Sequence, residues 1–244
     1  MIFHLQSLFY ALIFLAGLEI FSFGQGSISY LSLAFIFSAI LGSRKISRKF
    51  DFVIPAVMAF SAWSLLYLID FNIERQIFIA IVLILFYLNL LGNYRLKKYP
   101  QDQTAQGMLA ASVMVAIFIF YSAIYGIYLN FSIPLWLLMS IFLFVTFFVS
   151  QQYFKSIEKN KKLVINYSII LGMIMAEIAW VINFWPFGYL TTGAISLILY
   201  YIFWDLTQSY FQDILSKRRV VTNIVFFTLL MAMILMSSRW LPAV

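Results

Sequence analysis

The chain has 244 residues, of which 64% are hydrophobic and 10% charged, and its mean hydropathy is +0.97. A water-soluble domain carries roughly 25% charged residues, so the composition excludes a soluble globular fold. The absence of cysteine excludes disulfides, thiolate nucleophiles and zinc–thiolate centres.

Consecutive apolar stretches, each long enough to cross ~30 Å of hydrocarbon as a helix, recur from end to end. They predict nine spans, at about residues 2–23, 27–42, 52–70, 74–92, 107–129, 133–152, 163–184, 188–209 and 220–238. The first is apolar from Leu5 and has no basic leader or small-residue cleavage site, so it reads as a retained helix. The second is short. Pro55 and Pro134 fall at helix starts, where proline is harmless. The expected fold is an all-α polytopic transmembrane bundle, one domain over residues 1–244, with tandem two-helix repeats as its expected plan. Phe, Tyr and Trp are abundant, at 27, 15 and 6 residues, as interfacial belts require.

The net charge of +7 would suit nucleic acid, but its distribution points elsewhere. Arg44, Lys45, Arg48 and Lys49 follow the second span, and Arg95, Lys97 and Lys98 the fourth. Lys155, Lys159, Lys161 and Lys162 follow the sixth, and Lys217, Arg218 and Arg219 the eighth. These are 14 of the 16 Lys and Arg residues, leaving Arg75 and Arg239 on the other face. Short basic loops stay in the cytoplasm, so the amino terminus is expected inside and the carboxyl terminus outside. The expected partners are anionic lipid headgroups, and a membrane protein or a second copy, without nucleic acid. The opposite connections are a few residues each, such as Asn130–Ser132 and Trp185–Phe187. They leave no room for an outer domain.

Ser150-Gln151-Gln152-Tyr153-Phe154 resembles Thr207-Gln208-Ser209-Tyr210-Phe211, and the match runs on without a gap. Ile157 pairs with Ile214, Lys161-Lys162 with Arg218-Arg219, Val164 with Val221 and Asn166 with Asn223. Units of this length suit stacked helical hairpins entering from one side. Tyr153, Phe154 and Ile157, like Tyr210, Phe211 and Ile214, are expected to lie at the headgroups as anchors.

Among polar residues, Glu177 is the deepest formal charge, ~12 Å from the outer end of its span at 1.5 Å per residue. A carboxylate there costs at least about 2.5 kcal/mol unless it is paired, hydrated or protonated. Trp180 follows one turn on as a potential donor, and Ser168, Gly172 and Ala176 form a stripe that admits a close neighbour. Glu177 thus reads as a proton or cation site, or as a polar clamp between helices. Glu19 sits at a comparable depth in the first span and either shares a cation with Glu177 or reaches the interface. Asp205 lies near the inner end of the eighth span, with cytoplasmic cations as expected partners. Asp70, Asn72 and Glu74 read as a helix start, a cap plus favourable dipole charge. Asn89, Asn166 and Asn223 read as hydrogen bonds within the bundle.

The single histidine, His4, lies at the chain start. There is no HExxH pair, no phosphate-binding glycine loop and no dinucleotide fingerprint, so no cofactor or metal is expected. Two readings lead: a non-enzymatic scaffold or accessory subunit, and a small-solute or ion transporter using Glu177. A lipid-modifying enzyme comes last, because the residue inventory offers no catalytic set.

The run Glu177-Ile178-Ala179-Trp180, then Phe184-Trp185-Pro186-Phe187, Gly193, Tyr200-Tyr201, Lys217-Arg218-Arg219 and Ser238-Arg239-Trp240 resembles a known group. It is similar to uncharacterised multi-pass membrane proteins of small-genome candidate-phyla bacteria, classed as a domain of unknown function. The resemblance covers residues 170–241. It implies a bacterial inner-membrane setting and no assigned activity.

Overall fold

A computed structural model describes residues 2–23, 35, 39–44, 51–99 and 101–237. In hydrocarbon every backbone N–H and C=O must be satisfied within the segment, and among the described residues the chain forms helices and no strands. The helices are α1 (Ile2–Phe23), α2 (helical over 39–44), α3 (Val53–Leu68), α4 (Asn72–Lys98), α5 (Gln103–Phe131), α6 (Leu135–Phe154), α7 (Lys161–Ile182), α8 (Tyr189–Phe211) and α9 (Lys217–Ser237). Seven are long and apolar enough to cross a bilayer, and α3, at 16 residues, is a shorter apolar helix. The protein is a multi-pass membrane protein. Most of the second predicted span, 27–42, lies outside the described residues.

The chain divides into two compact units, Met1–Ala123 and Ile124–Val244, with the boundary inside α5. In the first, α1 packs against α3 and α4, and α3 against α4. Phe14 of α1 stacks on Phe86 of α4 at 4.0 Å and 6°. The first turns of α5 lie close against α4 at Gly92, where a Cβ would lie 3.1 Å from the Ala105 carbonyl oxygen. Ser61 and Ser64 return their hydroxyl protons to the Val57 and Phe60 carbonyls of α3, which removes polar groups from the apolar surroundings.

In the second unit α6 and α7 form the most intimate hairpin, α8 lies on α7, and α9 lies on α8. Ser168, Gly172 and Ala176 of α7 are buried, and a Cβ on Gly172 would meet the Leu143 carbonyl oxygen at 2.8 Å. Close backbone approach is the main source of helix attraction in lipid, where burial from water is absent. The Tyr125 hydroxyl donates to the Ala179 carbonyl at 2.6 Å. Asn160 caps α7, its Oδ1 accepting from the Lys162 and Leu163 amides. Asn223 is the buried residue of α9, the rest of which is half-buried or exposed.

Two expectations need correction. Tyr153 and Phe154 are not headgroup anchors: they are 1% and 0% exposed, because the end of α6 is covered by aromatic side chains of α8. Of their matches, Tyr210 is exposed and Phe211 half-buried, while Ile214, the match of Ile157, is exposed. At α4 neither Asp70 nor Asn72 provides a cap. Phe71 holds the N-cap position without a side-chain bond, Glu74 lies in the first turn, and the Arg75 Nε–H donates to the Ile69 carbonyl to fasten the bend.

Candidate functional site

Asp205 lies on the last two turns of α8, where the sequence turns from Tyr and Trp to Gln and Ser before the basic loop. Its carboxylate is 12% exposed and has two partners on the first turns of α9. Arg219 Nη2 donates to Oδ1 at 3.0 Å, and Asn223 Nδ2 donates to Oδ2 at 2.7 Å. Arg219 and Asn223 are four residues apart and so share a helix face. A charge withdrawn from water needs both a counter-charge and hydrogen bonds on its remaining lone pairs, and this arrangement supplies them. The Arg219 amide in turn donates to Ser216 Oγ, which begins the helix.

Beside the pair lies a groove of about 480 Å³ between α8 and α9. Tyr201 and Phe227 pack at 4.6 Å along it, with Phe226, Thr222, Arg218 and Arg219 on its walls. A second polar set lies between α6 and α8. Tyr153 donates to Gln208 Oε1 at 3.2 Å, and the Ser150 and Tyr200 hydroxyls are 3.0 Å apart. Trp204 is wedged against Tyr153 at 4.9 Å. Its indole nitrogen and the Ser209 hydroxyl are buried with no hydrogen bond among the described residues.

Glu177 lies on the opposite surface of its helix from Gly172 and Ala176. It is exposed, as are Met173 and Trp180 on either side, and it makes no hydrogen bond or ion pair among the described residues. Since α7 ends at Ile182, five residues on, its depth is about 7–8 Å at 1.5 Å per residue, less than the sequence reading gave. Trp180 is 48% exposed and sets its ring edge-on to Phe184 at 5.5 Å, with no bond to Glu177. Glu19, in the first unit, accepts from Gln76 Nε2 at 3.1 Å.

The basic clusters are at the surface. Arg44 lies over the Phe52 ring at 4.6 Å and Lys98 over Tyr99 at 5.4 Å, while Arg95 pairs with Asp102 at 2.7 Å. Lys97, Lys161, Lys162, Lys217 and Arg218 are exposed. Lys45, Arg48 and Lys49 lie outside the described residues. No group of three His, Cys, Asp or Glu that could hold a metal occurs among the described residues.

The sequence reading named Asp205, Arg219 and Tyr201 but not the groove that brings them together, nor Thr222, Phe226 and Phe227 that line it. A signal was present: in the matched segments Asp205 stands where the first copy has Phe148, so a charge has entered an apolar register.

A family described as a protein of unknown function (DUF5656) matches over residues 42–237. No curated protein and no solved structure matches the chain.

Proposed function

We propose that this chain, which belongs to the DUF5656 family of unknown function, is a non-enzymatic scaffold or accessory subunit of a bacterial inner membrane. Its amino terminus faces the cytoplasm, its carboxyl terminus faces outward, and its helices together serve as one membrane domain. The observation that carries the reading is the surface of α7 around Glu177. A carboxylate on an exposed helix face within the spanning region is costly, and the cost falls if a neighbouring helix supplies a donor. Ile169, Met173 and Trp180 flank it with exposed apolar area. The other withdrawn carboxylate, Asp205, is already matched to Arg219 and Asn223, which suits a locking role. The 14 basic residues of the even connections support the orientation.

The test is a photo-crosslinker at Met173 in native membranes. A discrete protein adduct, another protein or a second copy, that disappears with Glu177→Gln while the variant still folds is the expected result. Lipid adducts alone would overturn the scaffold reading. Proton uptake into proteoliposomes that depends on Glu177 would replace it with the transport reading.

A further inference from the structure

The matched hairpins α6–α7 and α8–α9 differ at one set of positions. The buried stripe Ser168, Gly172 and Ala176 of α7 aligns, at the same 57-residue offset, with Val225, Leu229 and Met233 of α9. These three are 53%, 62% and 71% exposed. In the first hairpin the small side chains let α7 settle on the α6 backbone at Gly172. In the second the bulky set is turned outward, α9 presents Asn223 to α8 instead, and it touches α8 far less. What holds its inner end is the pairing of Asp205 with Arg219 and Asn223. The outcome is the groove, a feature that the tightly closed first hairpin has no room for.

The chemistry of that groove runs in one direction. At the loop end stand Arg218, with no ion pair among the described residues, and Arg219, of which one nitrogen holds Asp205 and whose side chain remains 40% exposed. The Thr222 hydroxyl lies one turn on. Further along come the rings of Tyr201, Phe226 and Phe227. Asp205 is the acid on the groove and is matched by Arg219, so Arg218 and the adjacent Lys217 leave an excess of positive charge. The volume lies within the range of small-molecule sites, about 300–1,000 Å³, and guanidinium groups are suited to phosphate oxygens.

We propose that the α8–α9 groove seats a phosphate-bearing anion with an apolar tail, supplied in a membrane by an anionic phospholipid headgroup. Arg218 and Arg219 hold the phosphate, Thr222 donates to it, and the three rings receive the glycerol and first acyl carbons. This site deepens the membrane reading above and rests on it only in assigning the basic turn to the cytoplasmic leaflet.

The experiment uses the full chain in nanodiscs containing phosphatidylglycerol and phosphatidylcholine, with bound lipid counted by native mass spectrometry. Wild type is expected to retain phosphatidylglycerol in preference. Arg218→Gln, at an exposed position, is expected to reduce retention about tenfold, the scale of one charge-assisted contact. Lys161→Gln removes the same charge from the matched position of the closed hairpin and is expected to change nothing. Equal losses in the two variants would show only general attraction to a basic surface and overturn the proposal. Displacement of the lipid by inorganic phosphate at equal concentration would overturn the lipid as source and reassign the groove to a free anion. Both nanodisc leaflets are alike, so these results do not depend on orientation, and a failure here leaves the scaffold reading to its own test.

Discussion

The rings of Phe154 and Phe211, which occupy matched positions in the two hairpins, meet edge to face at 5.3 Å and 88°. The ends of α6 and α8 therefore touch through the very residues that the internal match places in register. Phe154 is fully buried, whereas Phe211 keeps a partly open surface. Phe154→Ala is expected to destabilise the second unit by on the order of 3 kcal/mol, through lost packing contacts and the cavity left behind. Phe211→Ala is expected to cost less, and thermal unfolding in detergent compares the two.

At Gly172, α7 comes close to the α6 backbone. Gly172→Ala forces a shift of a few tenths of an ångström against a carbonyl that cannot rotate away, at about 1–3 kcal/mol. Gly172→Leu places the residue of the second hairpin in the first. It is expected to splay α6 from α7, which spin labels on the two helices would report as a longer and broader distance.

Asp205 and Asn223 are expected to be coupled. Asp205→Ala, Asn223→Ala and the double variant form a cycle whose interaction energy should be about 1 kcal/mol, within the range found for polar pairs between membrane helices. Asp205→Ala alone is expected to cost more than Asn223→Ala, because Arg219 then loses its counter-charge as well. A cycle energy near zero would mean that the 2.7 Å contact contributes nothing to holding α9.

The orientation is open to direct labelling, since the chain contains no cysteine. Single substitutions Lys98→Cys, Glu158→Cys and Ser216→Cys are expected to react with an impermeant thiol reagent only from the cytoplasmic side. Asp70→Cys and Trp185→Cys should react only from the other. Glu158→Cys and Ser216→Cys on opposite faces would end the hairpin topology.

Where the spans lie was legible in the sequence, because the length of an apolar run and the cations that close it are local properties. Helices α1 and α3 to α9 coincide with predicted spans to within a few residues, the largest extensions being α4 to Lys98 and α5 from Gln103. Which face of each helix points inward was far less legible. In a bilayer the buried and lipid-facing sides of a helix are both apolar, so a run such as Tyr153-Phe154 gives no sign of whether it meets lipid or protein. Glu177 shows the same difficulty, since depth follows from counting residues but direction does not. The small stripe of α7 was readable because size, unlike polarity, still distinguishes a contact face in lipid. The groove was not, because it depends on which face α9 turns to α8, and nothing in an apolar run such as residues 225–233 announces that face.

The last described helix, α9, has Asn223 as its buried residue and is tied to α8 near its first turns by the pairing with Asp205. A rod fixed at one tip can swing at the other without disturbing what it leans against. The Asp205 pair would then work as a pivot, and the angle of α9 would follow the thickness and composition of the surrounding leaflet, giving the second unit one element that yields to its solvent.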